Sequence, residues 1–80
     1  MRLKVLAFGI AKDIFGNTSI ELELRERAST QSLKSALEEQ YPRLKKLASY
    51  LVAVNSEYAN DEVLLNERDE IAIIPPVSGG

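Results

Sequence analysis

Neither cysteine nor histidine occurs anywhere in the 80 residues. The chain therefore has no thiol nucleophile, no imidazole base and neither of the commonest zinc ligands, so a self-contained hydrolytic, redox or metal-centred activity is not expected. It can form no disulfide and gives no positive sign of an oxidising compartment. Charge of one sign is also missing: 10 Lys and Arg stand against 12 Asp and Glu, for a net charge of −2, and the basic residues are scattered rather than gathered in a stripe. That distribution disfavours a nucleic-acid partner. No long apolar run is present, since Lys4 and Lys12 interrupt the first one. Neither a membrane span nor a secretory leader is expected, and a soluble cytoplasmic protein is the default. Glycine-rich phosphate loops, internal repeats and low-complexity stretches are likewise not found.

What is there fits one small domain with an economical core, burying roughly 60–65% of the surface its unfolded chain exposes. Residues 2–8 read as a first strand, with Leu3, Val5 and Ala7 on one face and Lys4, Leu6 and Phe8 on the other. If the first face meets the core, Phe8 points outward. Residues 9–15 predict a brief helical turn closed by Gly16-Asn17, with Ile10, Ile14 and Phe15 docking on the sheet. Residues 18–25 alternate cleanly, with Ile20, Leu22 and Leu24 inward, as a half-buried antiparallel strand does. Thr30 is the expected N-cap of the main helix over residues 31–41, which Pro42 ends and whose apolar stripe is Leu33, Ala36, Leu37 and Tyr41. Residues 51–55 are a β-branched strand leading into an Asn55-Ser56 turn, residues 60–65 are mainly loop, and residues 70–74 form the last strand. Glu67, Asp69 and Glu70 are read as a solvated turn rather than a cation site.

Strand, strand, helix, then two or three strands is an order that one helix packed on one face of a small mixed sheet satisfies, with a right-handed crossover. The expected class is α+β, a ubiquitin-like β-grasp, with first and last strands as central neighbours. Phe8 and Ile74 would then meet on the helix-free face as an apolar patch. Residues 1–74 form the domain and residues 75–80, Pro75-Pro76-Val77-Ser78-Gly79-Gly80, an extended tail. Two prolines stop strand pairing and stiffen the exit, giving the six residues a reach of roughly 20 Å. Gly79 and Gly80 carry no Cβ and fit a slot too narrow for other residues.

These residues resemble a known family, the small sulfur-carrying subunit of molybdopterin synthase. The resemblance rests on Leu3-Lys4-Val5-Leu6-Ala7-Phe8, Val54-Asn55, Asp69-Glu70-Ile71-Ala72 and, most specifically, on the six-residue tail. It implies that the Gly80 carboxylate is adenylated by a ubiquitin-activating-like adenylyltransferase that consumes ATP. A sulfur-donating enzyme then turns it into a thiocarboxylate, which the large catalytic subunit of a heterotetrameric synthase uses to build the dithiolene on a cyclic pyranopterin. The carrier itself would bind no cofactor and no metal. By the same resemblance Gly79 permits threading, Ser78, Val77, Pro76 and Pro75 form the approach, and Phe8, Ile74 and Lys12 face the partner. Ile74 stands where the family often has an aromatic residue, and Lys12 where it often has arginine, so a bidentate arginine contact is not retained. Alternative readings are a carrier for thiamine-thiazole synthesis, a ubiquitin-like modifier that forms isopeptide bonds, and a plain interaction domain with an inert tail.

Overall fold

A computed structural model describes residues 1–47 and 49–75. Strand β1 (Arg2–Ala7) buries Leu3, Val5 and Ala7 and turns Arg2 and Lys4 to solvent, as its alternation requires. A short helix α1 (Ile10–Phe15) follows and is closed by Gly16 in the left-handed region at φ 76°, whose N–H donates to the Lys12 carbonyl at 2.8 Å. The chain then returns as β2 (Ser19–Glu23), antiparallel to β1, with Leu3 opposite Leu22 and Val5 opposite Ile20. Helix α1 docks through Ala11 and Phe15, and the Phe15 ring packs on Tyr41 at 4.7 Å between centroids. Ile10, expected to dock, is instead 47% exposed, because the helix begins at Ile10 and directs Ala11 inward.

The main helix α2 (Thr30–Gln40) is capped one residue earlier than expected: Ser29 is extended and its Oγ accepts from the Ser32 N–H at 3.2 Å. Thr30 is the first residue of the helix itself, and its N–H and Oγ1 both donate to the Val63 carbonyl, at 2.8 and 3.2 Å, which ties the helix start to the long loop. Leu33 and Leu37 are fully buried, and Pro42 opens a 3-10 turn (Pro42–Lys46) that carries Leu44 into the same core.

Strand β3 (Leu51–Val54) and the two-residue β4 (Glu57–Tyr58) are joined by Asn55 and Ser56, both at positive φ, 54° and 71°. The acidic turn before the last strand is used structurally: Asp69 accepts from Asn55 Nδ2 and from the Asn66 N–H, both at 2.9 Å. Strand β5 (Ile71–Ile74) completes a five-stranded sheet in the order β2-β1-β5-β3-β4. Its pairing with β1 is parallel, Val5 with Ile71 and Ala7 with Ile73, and its pairing with β3 is antiparallel. A parallel central pair needs a crossover, which α2 supplies while covering one face of the sheet. The result is the α+β, ubiquitin-like β-grasp arrangement, with Ile71 and Ile73 fully buried at its centre.

Candidate functional site

Alternation along β5 decides the site. With Ile71 and Ile73 buried beneath the helix, Ala72 and Ile74 must face the opposite side of the sheet, which no helix covers among the described residues. Register then determines their company. Ala72 is flanked by Leu6 on β1 and Ala53 on β3, and Ala53 is paired in turn with Tyr58 on β4. One row nearer the end of β5, Ile74 stands opposite Leu51, while Phe8 directly follows Ala7, the partner of Ile73. The outcome is an apolar band across four strands. Ala53 is buried and Leu6, Ala72 and Ile74 are half-buried, whereas Phe8, Leu51 and Tyr58 are 49%, 50% and 68% exposed. Exposed apolar surface of this extent, concentrated on one face of so small a domain, marks an interaction surface.

The sequence-predicted pair Phe8 and Ile74 is thus brought together, as part of a wider face. Lys12 lies on α1 and shares with Phe8 an open depression that Lys4, Leu6, Thr18 and Ser19 also line. Lys4 and Lys12 are exposed, and no described ion pair includes either one. Leu51 and Tyr58 were missed by sequence reasoning: residues 51–55 read as a strand, but the face each side chain takes depends on pairing with a distant strand. Leu51-Val52-Ala53-Val54 is apolar at every position, so no local alternation marked the exposed face.

Pro75 directly follows Ile74 at the edge of this face and is half-buried. Its ring touches the β1–α1 connection, so that a Cβ placed on Gly9 would lie 3.2 Å from Pro75 Cγ. The remaining predicted tail residues, Pro76, Val77, Ser78, Gly79 and Gly80, lie outside the described residues.

A second polar group occurs on the helix-covered side. The Tyr50 hydroxyl donates to Glu38 Oε2 at 2.5 Å, while Lys34 Nζ lies 5.7 Å from the Tyr50 ring centroid and 3.0 Å from Asp61 Oδ1. Burial, and then the hydrogen bond to the Glu38 carboxylate, push the Tyr50 phenol well above its ordinary range. The group joins α2 to the start of β3 and holds no free base or nucleophile. Among the described residues no three Asp or Glu side chains gather closely enough to hold a metal ion, and no helix is long and apolar enough to cross a membrane. What the face offers chemically is adhesion.

Comparison with known proteins places this geometry. The model of the ThiS family matches residues 5–80. The chain is 41% identical to a molybdopterin synthase sulfur carrier subunit of Dictyostelium discoideum, over 99% of this chain and 96% of that protein. It is 37% identical to the protein of the same name from Arabidopsis thaliana, over 100% and 84%. Among solved structures it resembles a putative molybdopterin converting factor, subunit 1, from Pyrococcus furiosus, with a TM-score of 0.88, 24% identity and coverage of 96% and 99%. It also resembles the complex of subunits 1 and 2 of molybdopterin-converting factor from Helicobacter pylori (TM-score 0.70, 25% identity, 100% of each chain). The small archaeal modifier protein 1 of Methanosarcina acetivorans is similar as well (TM-score 0.82, 26% identity, 99% and 96%).

Proposed function

Because this chain belongs to the ThiS family, we propose that it is the sulfur carrier subunit of a molybdopterin synthase, with Gly80 as the group that carries sulfur. The observation that supports this most directly is the apolar face of Phe8, Leu51, Tyr58 and Ile74 at the end of the strand from which the C-terminal residues depart. A protein that lends its terminus to another enzyme's active site needs an adhesive surface at the root of that terminus, and needs no catalytic side chain of its own. Residues 1–74 are the docking body in this reading, and residues 75–80 the delivered segment.

The chemistry is carried by the terminal carboxyl group. A C-terminal carboxylate has an ordinary pKa of about 3.5, so at neutral pH it is ionised and a poor acyl electrophile. An adenylyltransferase partner joins it to the adenylyl group of ATP and releases pyrophosphate. A sulfur donor then displaces AMP and leaves a thiocarboxylate, so that a C–S bond replaces the acyl C–O bond to AMP. The large synthase subunit, docked on the apolar face, passes that sulfur to the cyclic pyranopterin precursor, and water attacks the acyl carbon, so that a C–O bond replaces the C–S bond and the Gly80 carboxylate is restored. Phe8 and Ile74 form the centre of the contact in this scheme, with Lys12 at its rim.

The test is the intact mass of the full chain after co-expression with an adenylyltransferase of this class and a sulfur source. Replacement of one oxygen by sulfur, a gain of about 16 Da, is the expected result; a mass that stays unmodified under conditions that charge a known carrier overturns the reading. The likeness to an archaeal modifier protein favours one second reading, in which Gly80 forms isopeptide bonds with lysines. Denaturing gels separate the two, since a ladder of covalent adducts supports the modifier and its absence the carrier.

A further inference from the structure

We propose that Gly9 is a positioning residue for the C-terminal segment, its missing side chain providing the seat against which the Pro75 ring sets the direction in which the chain leaves the sheet. The inference rests on the reading of Gly80 as the working end. Gly9 lies between Phe8 and helix α1, with φ 55° and ψ −134°. A Cβ there would approach Pro75 Cγ to 3.2 Å and Cδ to 4.0 Å. Contact at 3.2 Å requires the neighbour to give way by a few tenths of an ångström, and Pro75 can do so only by changing its ring pucker or by shifting its backbone, whose φ the ring fixes.

Gly16 supplies the comparison within the same molecule. It too has positive φ, 76°, but nothing lies within 4 Å of the position its Cβ would take. Backbone conformation alone accounts for glycine at 16, as the cap of α1. Position 9 answers to a second constraint, contact with Pro75. On the other side of that contact the chain is held firmly, since Ile73 pairs with Ala7 and Ile74 with Leu51. Pro75 is thus the first residue free to change direction, and the Gly9 seat bears on it directly.

Leverage makes a small displacement matter. The five residues that follow Pro75 reach at most about 17 Å, at roughly 3.3 Å each. A rotation of about 5° at the root swings an end at that distance by roughly 1.5 Å, and misplacement of reacting groups by about 1 Å costs on the order of 100-fold in rate. A side chain at position 9 is therefore expected to leave docking of the apolar face intact and to impair delivery of Gly80.

The experiment uses the full chain, thiocarboxylated at Gly80, as Gly9→Ala, Pro75→Ala, the double variant and Gly16→Ala. Single-turnover sulfur release with the large subunit, affinity for that subunit by titration calorimetry, and melting temperature are read for each. Gly9→Ala is expected to slow sulfur release about tenfold or more at an affinity within twofold of the parent, while Gly16→Ala, which also puts a side chain at positive φ but meets no neighbour, stays within twofold in both. In the Pro75→Ala background, where the ring is gone, Gly9→Ala is expected to cost less than twofold. An undiminished loss in that background, or no loss from Gly9→Ala alone, overturns the positioning role. Should Gly9→Ala fold poorly, the melting temperature of the double variant decides: recovery supports the contact as the cause, and failure to recover overturns it. Sulfur transfer by a chain lacking Gly80 would instead defeat the carrier reading itself, an outcome distinct from an additive Gly9–Pro75 cycle with Gly80 still essential.

Discussion

Leu51 stands directly opposite Ile74 across the antiparallel β3–β5 ladder, so the first residue of one strand and the last of the other form a single apolar pair at the edge from which the C-terminal segment departs. Leu51 is half exposed, and with Phe8 and Tyr58 it makes the face continuous across β1, β5, β3 and β4. A cross-strand pair of this kind is worth about 0.2–1 kcal/mol to the sheet, and it leaves half of Leu51 uncovered.

Charge placed in that face should therefore separate binding from folding. Phe8→Asp and Leu51→Asp are each expected to weaken affinity for the large synthase subunit by tenfold or more, as loss of a central apolar anchor does. Melting temperatures should fall by only a few degrees, since both side chains are about half exposed. Titration calorimetry beside thermal denaturation checks this, and unchanged affinity in either variant would remove that residue from the contact.

Removal of Gly80, or addition of one residue after it, is expected to abolish sulfur transfer while leaving the melting temperature and the affinity of the sheet face unchanged. The reacting carboxyl group is lost or displaced by one residue, about 3.3 Å, which exceeds the tolerance of an attack geometry. A synthase assay reconstituted with each variant measures it.

Stability should respond most in the central strands and at the true helix cap. Ile73→Ala, at a fully buried position, is expected to cost about 2–5 kcal/mol of unfolding free energy. Ser29→Ala is expected to cost about 1 kcal/mol through loss of its bond to the Ser32 N–H. Denaturant titration of both variants against the parent provides the check.

Tyr50 gives the fold a dependence on alkaline pH. Its phenol is raised above the ordinary value of about 10 by burial and by the hydrogen bond to Glu38. The folded state therefore holds that proton more tightly than the unfolded chain does. The associated stability is fully present below pH 10 and is lost as pH rises from there toward the higher folded-state value. Melting temperature should accordingly decline above pH 10, and Tyr50→Phe should flatten that part of the profile. An ultraviolet titration should also show one tyrosine ionising later than free tyrosine does.

Much of the architecture was legible along the chain. The alternation of Leu3, Val5 and Ala7, the outward Phe8, the helix stripe of Leu33 and Leu37 and the Asn55-Ser56 turn all report local periodicity or local backbone preference, which neighbouring residues impose on one another. Local reading failed where a distant group intervened. Thr30 looks like a cap, but pairing of its N–H and Oγ1 with the distant Val63 carbonyl draws it into the first turn of the helix, and Ser29 caps instead. Ile10 looks like a core residue until the start of α1 turns Ala11 inward instead.

By itself, the sequence determined that this protein is a small α+β domain with no thiol, no imidazole and a proline-glycine terminus, because composition and short-range pattern are properties of the chain before it folds. Only the tertiary structure decided that Leu51 and Tyr58 share a surface with Phe8 and Ile74, and that Gly9 receives Pro75. Strand register joins residues far apart in the chain, and a shift of one position would have turned every one of those side chains to the opposite face.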